Sequence, residues 1–198
     1  LRPNVRRLPI FGLGCVGGVS GLARAASMVR AEPSLNILYL VVELCGLTFQ
    51  KNDISKSNIV ATALFGDGAA GAIISSQGTG PAITCWGEHT WPDSLNVMGW
   101  KVSDTGLNVI FSRDIPSLVR SQLRDAVNNF LHCNELSLDD INAFIMHPGG
   151  AKILKALEET FGIPDGSLKH ARTVLQKYGN MSAATVMFVL KSIWHQTS

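Results

Sequence analysis

The chain is short of charge. Of its 198 residues only 16% are Asp, Glu, Lys or Arg, against 46% hydrophobic. That surplus of core formers predicts elements buried on both faces. Net charge is only +2, and Arg2, Arg6 and Arg7 form the one basic cluster. No nucleic-acid footprint is present. No apolar run is long enough to span a bilayer, since the run at 36–42 stops at Glu43, and no secretory signal is visible. The four cysteines, at 15, 45, 85 and 133, have no C-x-x-C spacing. That favours reduced thiols in a cytoplasmic protein over a disulfide framework, although an even count leaves one pair open. The chain also lacks an initial Met and stops at Ser198 just after an apolar segment. Both ends lead us to expect a piece of a longer protein.

What is present reads as alternating strands and helices. Residues 8–11 form a short apolar run entering the glycine turn Gly12-Leu13-Gly14-Cys15-Val16-Gly17-Gly18, and 20–30 has helical character up to Pro33. Residues 37–43 suit a buried parallel strand. Residues 51–58 read as a polar loop, 61–65 as a helix end or strand, and 69–75 as a further buried strand. Ser, Gly, Thr and Pro at 76–81 mark an internal boundary, giving units 1–77 and 78–198. Beyond it, 83–91 suits a strand, 114–133 an amphipathic helix, and 143–146 a short buried strand running into His147. A helix start at 137–140 and helices over 151–161, 168–178 and 181–194 follow.

Three places could hold chemistry. Cys15 sits in a glycine turn at the amino end of a helix, where unpaired N–H groups and the helix dipole favour thiolate. The same turn satisfies the dinucleotide fingerprint as Gly12-x-Gly14-x-x-Gly17, with Glu43 as candidate ribose acid. An NAD(P)-binding oxidoreductase therefore stays open. Against it, Arg6, Arg7 and Pro9 make a poor buried first strand, and Glu43 falls late. His147 lies on His147-Pro148-Gly149-Gly150 at the exit of a strand, where α/β folds build sites. His89, His132, His170 and His195 are read as carrying no chemistry. Asn180, between Gly179 and Met181-Ser182, reads alone as a helix cap. It gains interest as third partner to a Cys and a His.

Together these segments resemble the type III polyketide synthases of the chalcone and stilbene synthase family. Gly14-Cys15-Val16-Gly17-Gly18 looks like the family's nucleophile turn, and Leu64-Phe65-Gly66-Asp67-Gly68-Ala69-Ala70 like its gatekeeper segment. His147-Pro148-Gly149-Gly150 looks like its histidine loop and Gly179-Asn180-Met181-Ser182 like its asparagine turn. The wording at 43–50 and 111–116 is closer to bacterial members than to plant ones. The resemblance implies an α/β fold of thiolase-like αβαβα layers, incomplete at both ends, and a homodimer.

It also implies an acyltransferase in which Cys15 carries the acyl chain. His147 would help to hold Cys15 as thiolate, and His147 and Asn180 would stabilise the enolate formed as malonyl-CoA loses carbon dioxide. The substrates would be acyl-CoA and malonyl-CoA, with Gly149 and Gly150 on the coenzyme A side and no metal or organic cofactor. Phe65 matches a gatekeeping aromatic, and Val109 stands where a second gatekeeping Phe is usual. Cys45 replaces a common Thr and reads as a wall residue rather than a second nucleophile. Thr48 and Ser182 would line the pocket, and Trp100, where plant members have a small residue, would redirect it. The looser gate implies a fatty acyl starter and an alkylpyrone or alkylresorcinol. A ketoacyl-synthase III-like enzyme and a non-catalytic fragment are the other readings.

Overall fold

A computed structural model of the chain describes residues 2–104 and 106–197. Residues 14–16 form a single 3-10 turn that leads directly into helix α1 (Gly17–Ala31). Strand β1 (Asn36–Glu43) follows, then helix α2 (Lys56–Leu64) and strand β2 (Gly68–Ser75). Helix α2 begins earlier than its polar sequence suggested, because the Ser55 side chain accepts from the Asn58 N–H as an N-cap at 3.3 Å.

Strand β1 is not the buried parallel strand its apolar run predicted. It pairs antiparallel with β2 along its whole length, from Asn36 opposite Ser75 to Glu43 opposite Gly68. Side chains alternate across a strand, so Tyr39, Val41 and Glu43 share one face while Leu38, Leu40 and Val42 share the other. Tyr39 and Val41 are buried, whereas Leu40 and Val42 are 63% and 64% exposed. A continuous apolar run reports that both faces are greasy, but it cannot report which neighbours cover them. β2 likewise buries neither face fully.

A second antiparallel pair, β3 (Met98–Ser103) with β4 (Gly106–Phe111), sets Trp100 directly opposite Val109. Residues 8–11, 83–91 and 143–146 carry no strand, contrary to the sequence pattern. No strand pairs with them among the described residues. The 8–11 segment is solvent-exposed throughout.

The long amphipathic helix is present as α3 (Ile115–Leu118), a π-helical stretch at Val119–Leu123, and α4 (Arg124–Cys133). Ser137 and Asp140 form a reciprocal capping box at the next short turn. Helix α5 (Ala151–Phe161) is closed by Gly162 in the left-handed conformation, and α6 (Lys169–Tyr178) by Gly179. Helix α7 (Thr185–Thr197) is central, as expected of its apolar sequence. Leu154, Ala156, Ala184 and Val189 are fully buried where α5 and α7 meet the core, alongside Met181 and Tyr39.

Gly18 lets α1 lie directly on the turn that begins α7. A Cβ at Gly18 would stand 2.3 Å from the Ala183 carbonyl oxygen and 2.8 Å from Val186 Cγ1. The first contact cannot be relieved by swinging a side chain away, because it is backbone. Gly18→Ala is therefore expected to destabilise the fold by about 1–3 kcal/mol, as overpacking typically does. The urea midpoint of the variant checks this, and an unchanged midpoint would contradict the packing described.

Candidate active site

The asparagine turn is clamped to the gatekeeper segment by backbone hydrogen bonds. The Asn180 N–H donates to the Leu64 carbonyl at 2.8 Å, and the Gly66 N–H donates to the Asn180 carbonyl at 3.0 Å. Phe65 and Asn180 thereby form an isolated parallel bridge. Gly179 turns the chain into this position at φ 72°, and a Cβ there would meet the Leu64 carbonyl oxygen at 2.7 Å. Only glycine meets both demands. Asn180 is thus a bridge residue with its side chain free for other work, where the sequence alone suggested a cap.

That side chain turns towards the nucleophile. Asn180 Oδ1 accepts the Ser182 N–H at 2.9 Å and lies 4.0 Å from Cys15 Sγ, across 165 residues of sequence. A backbone N–H must face an acceptor, so this bond fixes which end of the amide is oxygen. It leaves Nδ2 as the donor end. Ser182 itself adopts φ 48°, a conformation uncommon outside glycine. The Ser182 side chain favours the anionic forms of both Cys15 and Glu43.

Burial dominates the electrostatics. It pushes the Cys15 thiol above its ordinary value, with the Glu43 carboxylate adding to the rise and the Ser182 hydrogen bond opposing it. The helix amino end that the sequence expected beside Cys15 is present, and burial acts against the thiolate it would favour. Cys15 lies in the turn that precedes α1, and desolvation outweighs the local donors. Burial also raises Glu43, although the Ala183 N–H and the Ser182 side chain both stabilise its anion. Cys45 is driven up to about 12 by burial, then by Glu43, Cys15 and Asp67. It is an inert thiol at neutral pH, in keeping with a wall residue.

His147 is the other conspicuous group. Both its ring nitrogens are buried without a hydrogen-bond partner, and burial lowers its pKa to about 4. An orphaned buried imidazole is costly unless something else meets it. Burial works against the charged form of both groups, raising Cys15 and lowering His147. The His147 loop lies beside the clamp, since a Cβ on Gly150 would reach Leu64 Cδ2 at 4.0 Å. Gly149 donates its N–H to the His147 carbonyl at 3.0 Å, and Gly150 begins α5.

The expected pocket residues divide. Cys45, Thr48 and Phe65 line one cavity of about 240 Å³ with Phe49, Asn58 and Ala61. Val109 instead lines a larger and more polar cavity of about 520 Å³, with Lys101, Ser103 and Asn108. Trp100 lines neither, and Ser182 belongs with Cys15 and Asn180. Of the remaining histidines, His89 packs edge-on to Trp91, His132 is exposed, and His170 bonds Ser192 at 2.8 Å. The His195 side chain lies outside the described residues. All four cysteines are free thiols.

The dinucleotide reading loses its framework. Among the described residues no strand precedes the glycine turn, and Glu43 ends a strand paired antiparallel with β2. Glu43 is the residue whose inward placement sequence reasoning missed. Its signal was its parity, because it falls on the same strand face as Tyr39 and Val41 and so points inward.

Solved structures and curated relatives agree on the class. The chain superposes on 1,3,6,8-tetrahydroxynaphthalene synthase from Streptomyces coelicolor A3(2), a bacterial type III polyketide synthase, with TM-score 0.93 and 26% identity, covering 98% of this chain and 56% of that one. It matches the C-terminal type III polyketide synthase domain of Steely1 from Dictyostelium with TM-score 0.84 and 31% identity, covering 96% and 55%. The fold is therefore the thiolase-like α/β fold of type III polyketide synthases. A Bacillus subtilis (strain 168) protein provisionally named a chalcone synthase is 44% identical, over 96% of this chain and 54% of its own. The 1,3,6,8-tetrahydroxynaphthalene synthase of Streptomyces peucetius subsp. caesius is 39% identical over 98% and 52%. Family models for the N-terminal and C-terminal domains of chalcone and stilbene synthases match residues 1–78 and 83–198. The chain belongs to the chalcone and stilbene synthase family. It spans about half the length of the curated relatives it matches.

The buried imidazole makes a test of the site's electrostatics. As pH falls from about 6.5 towards about 4, the unfolded chain takes up a proton that folded His147 refuses. Stability is then lost with acid, by about 2 kcal/mol between pH 7 and pH 5. Urea unfolding at both pH values should show that loss in the wild type and a clearly smaller one in His147→Gln. Equal acid sensitivity would mean that His147 titrates normally.

Proposed function

We propose that this chain carries the condensing chemistry of a type III polyketide synthase, an acyltransferase that extends an acyl-CoA starter with malonyl-CoA. The observation that carries the reading is the approach of Asn180 Oδ1 to Cys15 Sγ at 4.0 Å, two residues brought together from opposite ends of the sequence. In this mechanism Cys15 attacks the starter thioester and keeps the acyl group while coenzyme A leaves as its thiol. The Cys15 proton passes to His147 once bound substrate compensates the burial that disfavours both charged forms.

Malonyl-CoA then loses carbon dioxide. His147, once protonated, and Asn180 Nδ2 donate to the thioester oxygen as it gains negative charge, the kind of fixed donor that contributes most to such steps. The resulting carbanion attacks the acyl group on Cys15, lengthens it by two carbons and releases the thiolate. Repeated extension and ring closure give the polyketide. The cycle calls on no metal and no organic cofactor, and no helix among the described residues is long and apolar enough to cross a membrane.

A homodimer in the cytoplasm, with Gly149 and Gly150 on the coenzyme A side and Phe65, Cys45 and Thr48 along the acyl cavity, completes the proposal. A fatty acyl starter leading to an alkylpyrone or alkylresorcinol rests on the family resemblance that puts Val109 at the second gate position, although Val109 lines a cavity separate from that of Phe65. Relatives named 1,3,6,8-tetrahydroxynaphthalene synthase support a small fused aromatic as a second product class. Product masses from a panel of acyl-CoA starters with malonyl-CoA separate the two.

Two variants test the roles in the intact protein. Cys15→Ala should take up no acyl group from acyl-CoA, and intact-mass spectra with undiminished acylation would remove Cys15 from the mechanism. Asn180→Ala should slow malonyl-CoA decarboxylation by a factor of about 10²–10³ while sparing starter loading, the loss typical of one oxyanion donor. Equal loss of both steps would point to damage of the clamp instead.

A further inference from the structure

Glu158, on α5, is a buried acid whose side chain is only 4% exposed. Burying a carboxylate is costly unless its oxygens are met, and here both are. Oε1 accepts the Gly166 N–H at 3.0 Å and the Leu168 N–H at 3.2 Å, and Arg172 Nη2 on α6 donates to Oε2. One side chain thus holds the connection between two helices and the second helix itself. Among the described residues this is the one side-chain hydrogen bond between α5 and α6. Asp165 lies 3.7 Å from the same guanidinium but is 94% exposed, which leaves Glu158 as the partner that counts. The other long-range bonds of α5 run elsewhere, from Arg124 to the Thr160 carbonyl at 2.7 Å and from Arg120 to Glu159 at 2.6 Å.

Each of these helices carries one donor of the proposed site. α5 starts where the His147 loop ends: the Gly149 N–H bonds the His147 carbonyl at 3.0 Å, and the Ile153 and Leu154 N–H groups bond the Gly150 carbonyl at 3.0 and 3.1 Å. α6 ends where the asparagine turn begins, with the Gly179 N–H on the Leu175 carbonyl at 2.9 Å. At a rise of about 1.5 Å per residue, Glu158 stands roughly 10 Å along α5 from Ala151, and Arg172 roughly 9 Å before Tyr178. Asn180 is already fixed by its bridge to Phe65. His147 has no such anchor, since both its ring nitrogens lack a partner. Its place relative to Asn180 depends on how α5 sits against α6.

We infer that the Glu158–Arg172 pair is a positioning latch, which sets α5 against α6 and thereby holds His147 at its working place beside Asn180. The inference rests on the reading of His147 and Asn180 as the two donors. A buried ion pair adds little net stability over an apolar pair of the same size, but it does fix an alignment. Arginine presents its donors in a rigid plane, and the other carboxylate oxygen is spent on two backbone N–H groups, so one setting of the helices satisfies the pair.

Arg172→Lys keeps the charge and loses the plane, and Glu158→Gln keeps the shape and loses the charge. Amide hydrogen exchange in the intact protein, resolved to single residues, is the first measurement. In either variant the Gly149, Ile153 and Leu154 amides should exchange about tenfold faster, within the range that coupling through packed elements reaches. The Asn180 amide, held by the bridge at 2.8 Å, and the Val29 amide in α1 should keep their wild-type rates. Equal acceleration at Asn180 and Val29 would show general loosening. Unchanged exchange at Gly149 would confine the pair to its own connection. Either result overturns the inference, and Arg172→Lys decides it alone if Glu158→Gln fails to fold.

Catalysis supplies the second measurement. Arg172→Lys should lower kcat for malonyl-CoA decarboxylation by about tenfold with KM little changed. In a His147→Gln background the same substitution should add almost nothing, because the ring it positions is gone. Fully additive losses overturn the positioning role. Hydrogen exchange needs no substrate. A wild-type protein that turns over no malonyl-CoA while its His147 loop answers to Arg172 defeats the proposed function and leaves the latch intact. An active protein whose loop ignores Arg172 does the reverse.

Discussion

The site depends on the backbone bridge between Phe65 and Asn180. Two hydrogen bonds, of 2.8 and 3.0 Å, fix a residue late in the chain against a segment more than a hundred positions earlier. With its main chain spent on the bridge, Asn180 can turn its amide only one way, and the Ser182 N–H then sets which atom faces Cys15. Loss of the bridge would free the asparagine turn, the start of α7 and the gatekeeper segment together. The bridge is buried, with Asn180 only 1% exposed, so its bonds are not traded cheaply for water.

Burial also gives the site its chemical character. Desolvation raises Cys15 and lowers His147, so burial disfavours the charged form of each until a ligand supplies partners for it. The two unpartnered ring nitrogens of His147 mark where that compensation has to arrive.

Much of the fold was legible in local sequence. Gly162 and Gly179 close α5 and α6 where a helix-ending glycine is expected, and the central apolar helix is α7. The failures share a cause. Residues 37–43 have the composition of a strand buried on both faces, yet pairing and coverage are set by β2 and by what packs on each side. Residues 83–91 and 143–146 have strand composition without a ladder partner among the described residues, and composition cannot supply one. The β3–β4 hairpin went unforeseen, and with it the pairing that sets Trp100 opposite Val109.

The sequence by itself determined the chemical inventory: a cysteine in a glycine turn, a histidine before two glycines and an asparagine after a helix-closing glycine. Those are properties of residue type and near neighbours, and spacing along the chain suffices to recognise them. Only the tertiary structure decided that Cys15 meets Asn180, that burial disfavours the charged forms of Cys15 and His147, and that Glu43 ends a strand paired antiparallel with β2. Solvent exclusion and hydrogen-bond sharing arise between segments distant in sequence, and they exist only once those segments are packed together.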